Sequence, residues 1–213
     1  MGEDRAATGT RVPNRRGEGA KLRDEILAAA IELLDESGDA NTITLRAVAR
    51  RVGIAAPSIY RHFPDQPAIV LAVIQQAFAE LNEHLRDSLA AADDDPRKRL
   101  FAVCDGYLEY ARTHPGRYRT MFGGLWQPDL NESSVDENDL ASLGQASMQL
   151  LAEQLASCVA AGRAASTDLP ADTVALWLGL HGLAHQRVAS PAFRWPPDIA
   201  ERIITALAHL EDR

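Results

Sequence analysis

Apolar residues in this chain recur three and four apart from Leu22 almost to the end. Nowhere do they alternate over the length that a half-buried strand needs. The chain is therefore restricted to helices, and the expected fold class is all-α. Its 213 residues suffice for one large domain, or for a small domain joined to a medium one. Apolar types at 46% and charged types at 24% are ordinary globular values, which excludes disorder of the whole chain.

Glycine, proline and aspartate cut the helical pattern into segments. Leu22, Ile26, Ala29, Ala30, Leu33 and Leu34 line one face of a first helix, which Gly38 ends. Thr44 caps a short second helix that turns Leu45, Val48, Ala49 and Val52 inward, and Gly53 stops it. A third helix runs from about Ala56 to Phe63, with Pro57 in its first turn. Asp65 caps a fourth, which continues through Ile69, Val73, Ile74, Phe78 and Leu81 toward Leu89. After Asp93–Pro96 the pattern predicts helices over about 97–114 and 116–122, a polar loop over 123–139, long helices over about 138–163 and 170–189, and a last one over 199–211. Three units follow. Residues 1–20 are a Gly- and Arg-containing arm without apolar periodicity, 21–66 a three-helix domain, and 67–213 a helical bundle.

Cys104 and Cys158 are far apart and in no CxxC pattern, which excludes a disulfide scaffold and a cysteine zinc finger. The most apolar run, Val174 to Ala184, is interrupted by His181 and falls short of the roughly 18 residues that a membrane span requires. The first residues carry arginines with no apolar core behind them, so no secretory signal is expected. The location expected is cytoplasmic, with no membrane partner.

A net charge of −8 argues at first against a nucleic-acid partner, but the charge is unevenly spread. Residues 1–63 hold 10 Lys and Arg against 9 Asp and Glu, whereas residues 64–213 hold 12 against 21. A near-neutral first part with clustered arginines can approach phosphate while the acidic remainder is held away. Arg5, Arg11, Arg15 and Arg16 in the arm fit either a solvated tail or a minor-groove contact.

Residues 44–63 read TLRAVARRVGIAAPSIYRHF. Two short helices joined by a tight glycine turn make a helix-turn-helix. Val48 and Ala49 must face Ile54 and Ile59, Ala49 must be small where the helices cross, and Gly53 supplies the turn. Ile59 and Phe63, four apart, anchor the second helix. Ala56, Pro57, Ser58, Tyr60 and Arg61 are then left facing outward, on a helix that fits a major groove about 12 Å wide.

From about Leu22 to Ile74 the chain resembles the DNA-binding domain of the tetracycline-repressor (TetR) family. The resemblance rests on Thr44, Val48-Ala49, Gly53-Ile54 and the string Ile59-Tyr60-Arg61-His62-Phe63. It implies phosphate contacts for Thr44, Tyr60 and His62, a base-edge or backbone contact for Arg46, base and backbone contacts for Pro57 and Ser58, and a specificity position at Arg61. The chemistry agrees, since hydroxyls and imidazole position a protein on phosphate and arginine reads guanine with two donors. Two residues depart from the family pattern. Ala55 replaces a capping Ser, and Gln66 replaces a Lys that resembles a phosphate contact, which shifts weight to Arg46, to Arg50 and Arg51, which equally fit a solvated helix face, and to the arm.

Further on, Ala175-Leu176-Trp177-Leu178-Gly179-Leu180-His181-Gly182 resembles a C-terminal regulatory domain of that family named for its Trp, His and Gly signature. Tyr107, Ala111, His114, Pro115, Tyr118 and Met121-Phe122-Gly123 fit its preceding helices. The resemblance implies a ligand pocket and a dimer interface. Tyr107, Tyr110, Phe122, Trp126, Met148 and Trp177 are the candidate lining, from an aromatic and Met set that also includes Met121, with His181 or Asp105 as polar contact. The helices at 170–189 and 199–211 are the expected dimer interface. Val174–Ala184 is apolar nearly all round, Gly179 and Gly182 permit close approach, and Ile199, Ile203, Ala206, Leu207 and Leu210 add a stripe.

The function expected is a ligand-responsive repressor that binds a palindromic operator as a homodimer and is released by a small-molecule effector. The alternative is a helical metal-dependent enzyme built on His181 and His185, whose spacing of four can place two imidazoles on one metal. No HExxH glutamate and no third ligand accompany them, so no metal, no cofactor and no enzymatic activity are expected. Cys104 and Cys158 read as small core residues.

Overall fold

The computed structural model describes residues 18–123 and 126–211. Ten α-helices follow one another: α1 Glu18–Ser37, α2 Leu45–Val52, α3 Ala56–Ile59, α4 Gln66–Ala90, α5 Pro96–Thr113, α6 Pro115–Phe122, α7 Glu137–Ser142, α8 Gln145–Ala160, α9 Leu169–Ala189 and α10 Ile199–Leu207. Among the described residues the only β pairing is an isolated bridge between Ala164 and Leu210. The all-α expectation holds.

Helix starts share one device. Asp65, Asp95 and Asp168 each accept a backbone N–H from the first turn, and each is followed by a proline within that turn. The carboxylate satisfies an orphan donor while proline forfeits one that has no partner anyway. Asp136 and Asp139 form a reciprocal capping box at α7.

The first three helices form a small head. Ile26, Ala30, Ile43, Val48, Ala49, Ile59 and Phe63 are buried together at its centre. The longest helix, α4, spans about 38 Å at 1.5 Å per residue. Residues 69–74 of α4 are all buried, because α1 lies against this stretch and α6 and the rest of the body take its other sides. In the body α5 runs along α4, α8 packs on α5, and α9 on α5 and α8, while α10 covers α9.

Several boundaries differ from the sequence expectation. The third helix closes after Ile59, where His62 and Phe63 both donate their N–H to the Ile59 carbonyl in a turn. The helix expected over 138–163 is two, α7 and α8, broken at Leu143 and Gly144. Gly144 has φ +76°, and a Cβ there would lie 3.1 Å from Phe78, so α8 begins with a bend around that ring. The last helix ends at Leu207 rather than 211, because residues 210 and 211 leave it to meet 163 and 164. The arm expected over 1–20 lies outside the described residues except for 18–20, which begin α1; its four arginines lie outside them too.

Gly144→Ala combines a left-handed backbone with contact against Phe78, and should destabilise the protein by about 1–2 kcal/mol. Urea unfolding checks this; an unchanged midpoint would remove the explanation given for the break between α7 and α8.

Candidate nucleic-acid interface and effector cavity

The head presents the residues expected at DNA. The Thr44 hydroxyl accepts from the Ala47 N–H at 3.1 Å and caps α2. Gly53 adopts φ 75°, and the Ile54 N–H returns to the Ala49 carbonyl at 3.0 Å, which closes the turn between α2 and α3. Ala55 caps α3 by backbone alone, without a side-chain bond. Fully buried Ile59 and nearly buried Phe63 hold α3 down, with the Arg23 guanidinium 4.9 Å over the Phe63 ring.

Thr44, Arg46, Ala56, Pro57, Tyr60 and Arg61 are exposed on the resulting surface, while Ser58 and His62 are half-buried at its edge. Tyr60, a large ring, is 53% exposed. Among the described residues Arg46, Arg50 and Arg61 form no ion pair. Arg51 behaves otherwise. It reaches back to α1, donating to Glu36 at 2.6 and 2.9 Å and to Glu32 at 3.2 Å. That bond holds the Glu36 carboxyl below its usual range. Arg51 thus ties α2 to α1 through two exposed carboxylates, neither a lone solvated side chain nor an unpaired one aimed at phosphate.

Two ties connect head and body. Arg117 of α6 donates to Asp35 of α1 at 3.1 Å and to Glu80 of α4 at 3.2 Å. Asp65 caps α4 with one oxygen and accepts the Ser134 N–H on the other at 2.6 Å, so the loop before α7 is moored to the start of α4.

In the body a cavity of 330 Å³ opens between α4, α5, α6, α8 and α9. Of the residues expected there, Tyr107, Phe122, Met148 and Trp177 line it. A narrow extension of 20 Å³ continues past Tyr107 and Trp177 toward Leu85 and Leu180. His181 stands behind the wall, with its ring centroid 4.9 Å from Phe122 and 5.4 Å from Trp177.

Its Nδ1 lies 2.7 Å from the Tyr118 hydroxyl and 3.2 Å from that of Tyr107, and the two hydroxyls are 3.2 Å apart. Burial pushes the Tyr107 phenol well above its ordinary range and raises that of Tyr118. Burial, then the neighbouring His185, pulls His181 below its usual value. All three groups are therefore neutral at pH near 7.

Four expectations are corrected, the first being His181, which does not line the cavity itself. Tyr110 is buried on another side of α5, where it stacks on His114, donates to the Ala77 carbonyl at 3.3 Å and has its phenol pushed up to about 12 by burial. Trp126 lines a separate 60 Å³ space between head and body, with Leu34, Val70, Ile74 and Arg119. Asp105 is exposed and does not line the cavity; partial burial of its carboxyl pushes it above the usual carboxylate range, opposed by Arg187 and aided by Glu201. Sequence reasoning missed Phe78, Leu81, Leu143 and Val174 in the lining. Their helical spacing marked them only as apolar. Cys104 and Cys158 are buried thiols, as expected of core residues.

Comparison with known proteins decides the family. Residues 26–73 match the model of bacterial regulatory proteins of the tetR family, and residues 100–210, over half the chain, match that of the tetracyclin repressor-like C-terminal domain. The chain belongs to the TetR family. This TetR-family chain is 32% identical over 117 residues to the nucleoid occlusion factor SlmA of Aliivibrio fischeri, covering 53% of the chain and 54% of that protein. It is 26% identical over 162 residues to the HTH-type transcriptional regulator BetI of Stenotrophomonas maltophilia, covering 73% of the chain and 79% of that protein. The chain thus spans about half the length of the first of these relatives. In fold it is similar to a protein of unknown function from Rhodococcus sp. RHA1, with TM-score 0.70 and 24% identity over 88% of this chain and 91% of that one. The TetR family is one of regulatory proteins, and the enzyme built on His181 and His185 has no support in it. His181 turns its Nδ1 to two phenols, and His185 is exposed. Among the described residues no helix is long and apolar enough to cross a membrane.

The lowered His181 value carries a sign. The unfolded imidazole binds a proton near pH 6.5 while the folded one resists it, so stability is lost as pH falls below about 6.5. Between pH of about 7 and about 5 the urea midpoint of His181→Gln should fall less than that of the parent. An equal fall in both would show that His181 titrates in the folded protein as it does in solution.

Proposed function

We propose that the protein is a cytoplasmic, ligand-responsive transcriptional repressor that binds a palindromic operator as a homodimer and leaves it when a small molecule fills the body cavity. The observation that carries the reading is the exposed face of Thr44, Arg46, Pro57, Tyr60 and Arg61 on a rigidly anchored α2–α3 pair. Hydroxyls on that face suit phosphate, and its arginines, unpaired within the described residues, suit guanine edges. Residues 21–66 serve as the reading head and 67–213 as the effector and dimer body, with α4 continuous between them.

The dimer reading rests on α9. On α9, Val174 and Leu178, one turn apart on one face, and Val188 further along are 45%, 54% and 61% exposed, and Phe193 beyond the helix end is 58% exposed. Single exposed apolar residues need no explanation, but a row of them on one helix does. Gly179 is already used within the chain, since a Cβ there would lie 2.5 Å from Leu207 and 2.9 Å from Ile203. Gly182 has open space before it, available to a second copy. The stripe expected on α10 narrows accordingly, because α10 turns Ile203 and Leu207 onto α9. A two-fold pair of heads then requires half-sites at a fixed spacing.

Coupling between cavity and head runs through α6 and α4. The Met121–Phe122 end of α6 lines the cavity, and Arg117, further back along the same helix, holds both Asp35 and Glu80. An effector that displaces Phe122 would pull on α1, and it can shift DNA affinity only by its difference in affinity for the two states.

Selection from a random duplex library tests the function. An enriched inverted repeat is expected, with binding that weakens steeply with salt. Arg61→Ala should cost roughly 1–3 kcal/mol and relax preference at one base position, whereas Tyr60→Phe should weaken all sequences alike. No enriched repeat and a flat salt dependence would overturn the reading. For the dimer, Leu178→Asp should convert a sedimenting dimer into a monomer of 23.2 kDa. A parent that sediments as a monomer at micromolar concentration would remove this interface.

A further inference from the structure

Four aromatic rings from four helices meet at the cavity wall, Phe78 of α4, Tyr107 of α5, Phe122 of α6 and Trp177 of α9, and Met121 and Met148 line it with them. Phe122 is the hub of the set. Its ring centroid lies 5.5 Å from that of Phe78, edge-on, 6.3 Å from that of Trp177 and 6.4 Å from that of Tyr107. At such separations aromatic pairs attract through the negative face of one ring and the positive edge of the next. Thioether sulfur is attracted to rings as well. An aromatic guest offers both a face and an edge, so it matches this wall whichever way each ring is turned. A saturated guest of the same outline offers neither.

The same wall gives a charge no partner. Among the described residues no Asp, Glu, Lys, Arg or His lines it. Its side-chain hydroxyls are engaged with the protein. That of Ser147 donates to Asn82 Oδ1 at 2.6 Å. That of Tyr107 lies 3.2 Å from the Tyr118 hydroxyl and 3.2 Å from His181 Nδ1, and Trp177 also hydrogen-bonds to it. An ion moved into the cavity loses its hydration with little in return. Residues 64–213 around it hold 12 basic against 21 acidic residues, which disfavours an anion further. Size sets the other limit. An apolar cavity of roughly 150 Å³ binds benzene, so 330 Å³ has room for about two fused rings.

We infer that the cavity takes an uncharged aromatic molecule of about two fused rings, in preference to a saturated molecule of the same outline and to an anion or cation on the same rings. Phe122, neighbour to the other three rings, is the residue on which the preference most depends. The role of this molecule as effector rests on the regulatory reading above; its binding does not.

Isothermal titration of the full chain at neutral pH with 1-acetylnaphthalene, its saturated analogue 1-acetyldecalin, 1-naphthoate and 1-naphthylmethylammonium tests the inference. The two ketones share a carbonyl and differ in ring saturation, while the two ions keep the aromatic rings and differ in charge. Burial of apolar surface alone ranks the saturated ketone first, because it is the bulkier and more apolar of the pair. The aromatic ketone should instead bind about fivefold more tightly. Each ion should bind at least about tenfold more weakly than the aromatic ketone. Phe122→Leu should bring the two ketones to within about twofold of each other. A saturated ketone equal to the aromatic one in the parent, either ion binding as tightly as the aromatic ketone, no binding of that ketone at all, or a preference unchanged in a folded Phe122→Leu would each overturn the inference. The first three outcomes are read on the parent chain and do not depend on the variant folding. DNA release is measured separately on the duplex recovered by selection. An aromatic ketone that binds with this preference and leaves the DNA complex intact would remove its role as effector while the preference stands. DNA release by an ion that binds more tightly than the ketone would leave the regulatory reading and remove the preference.

Discussion

Both halves of this protein are built on α4. Residues 69–74 are buried without interruption, so that stretch has no side that faces water. A helix apolar all round must be covered all round. α1 supplies one cover, and α6 and the rest of the body supply the others. Removing the body would leave part of this surface wet, and removing the head would do the same from the other side. The exposed face of the head and the cavity are therefore two ends of one packed object rather than beads on a linker.

The polar contacts at this junction follow from its placement. Arg117 lies where α1, α4 and α6 converge and meets a carboxylate from each of the first two. The Arg117 side chain is only 20% exposed, whereas its carboxylate partners are 52% and 32% exposed, so the contact orients the helices more than it adds stability. Asp65 also serves two partners, a helix start and a loop, with its two oxygens. Arg51 does comparable work inside the head. These contacts fix angles between elements, and under the proposed dimeric reading those angles would set the spacing of the two heads on DNA.

Much of the head was legible in the sequence because its determinants are local. Thr44 caps, Gly53 turns left-handed, and Ile59 and Phe63 are four apart, and each of these acts within a few residues of where it is written. The same holds for Asp-Pro helix starts. The cavity was half legible. Tyr107, Phe122, Met148 and Trp177 were identifiable as aromatic or Met residues of the body, but Tyr110 and Trp126 carry the same chemistry and lie elsewhere. Nothing in their spacing distinguishes them, because lining is decided by which helix stands opposite.

What the sequence determined by itself was the all-helical class, the helix-turn-helix and its exposed face, and the split between a near-neutral head and an acidic body. These depend on residue type and on spacings of three and four. Tertiary structure decided that α7 and α8 part at Gly144 around the Phe78 ring, and that Arg51 closes on α1 instead of waiting for phosphate. It also decided that Gly179 is spent within the chain while Gly182 stays open, and that a histidine and two tyrosines from three helices share one hydrogen-bonded edge. Each of these joins residues far apart along the chain. Such contacts are set by how whole helices pack, and the period of any one helix does not contain that information.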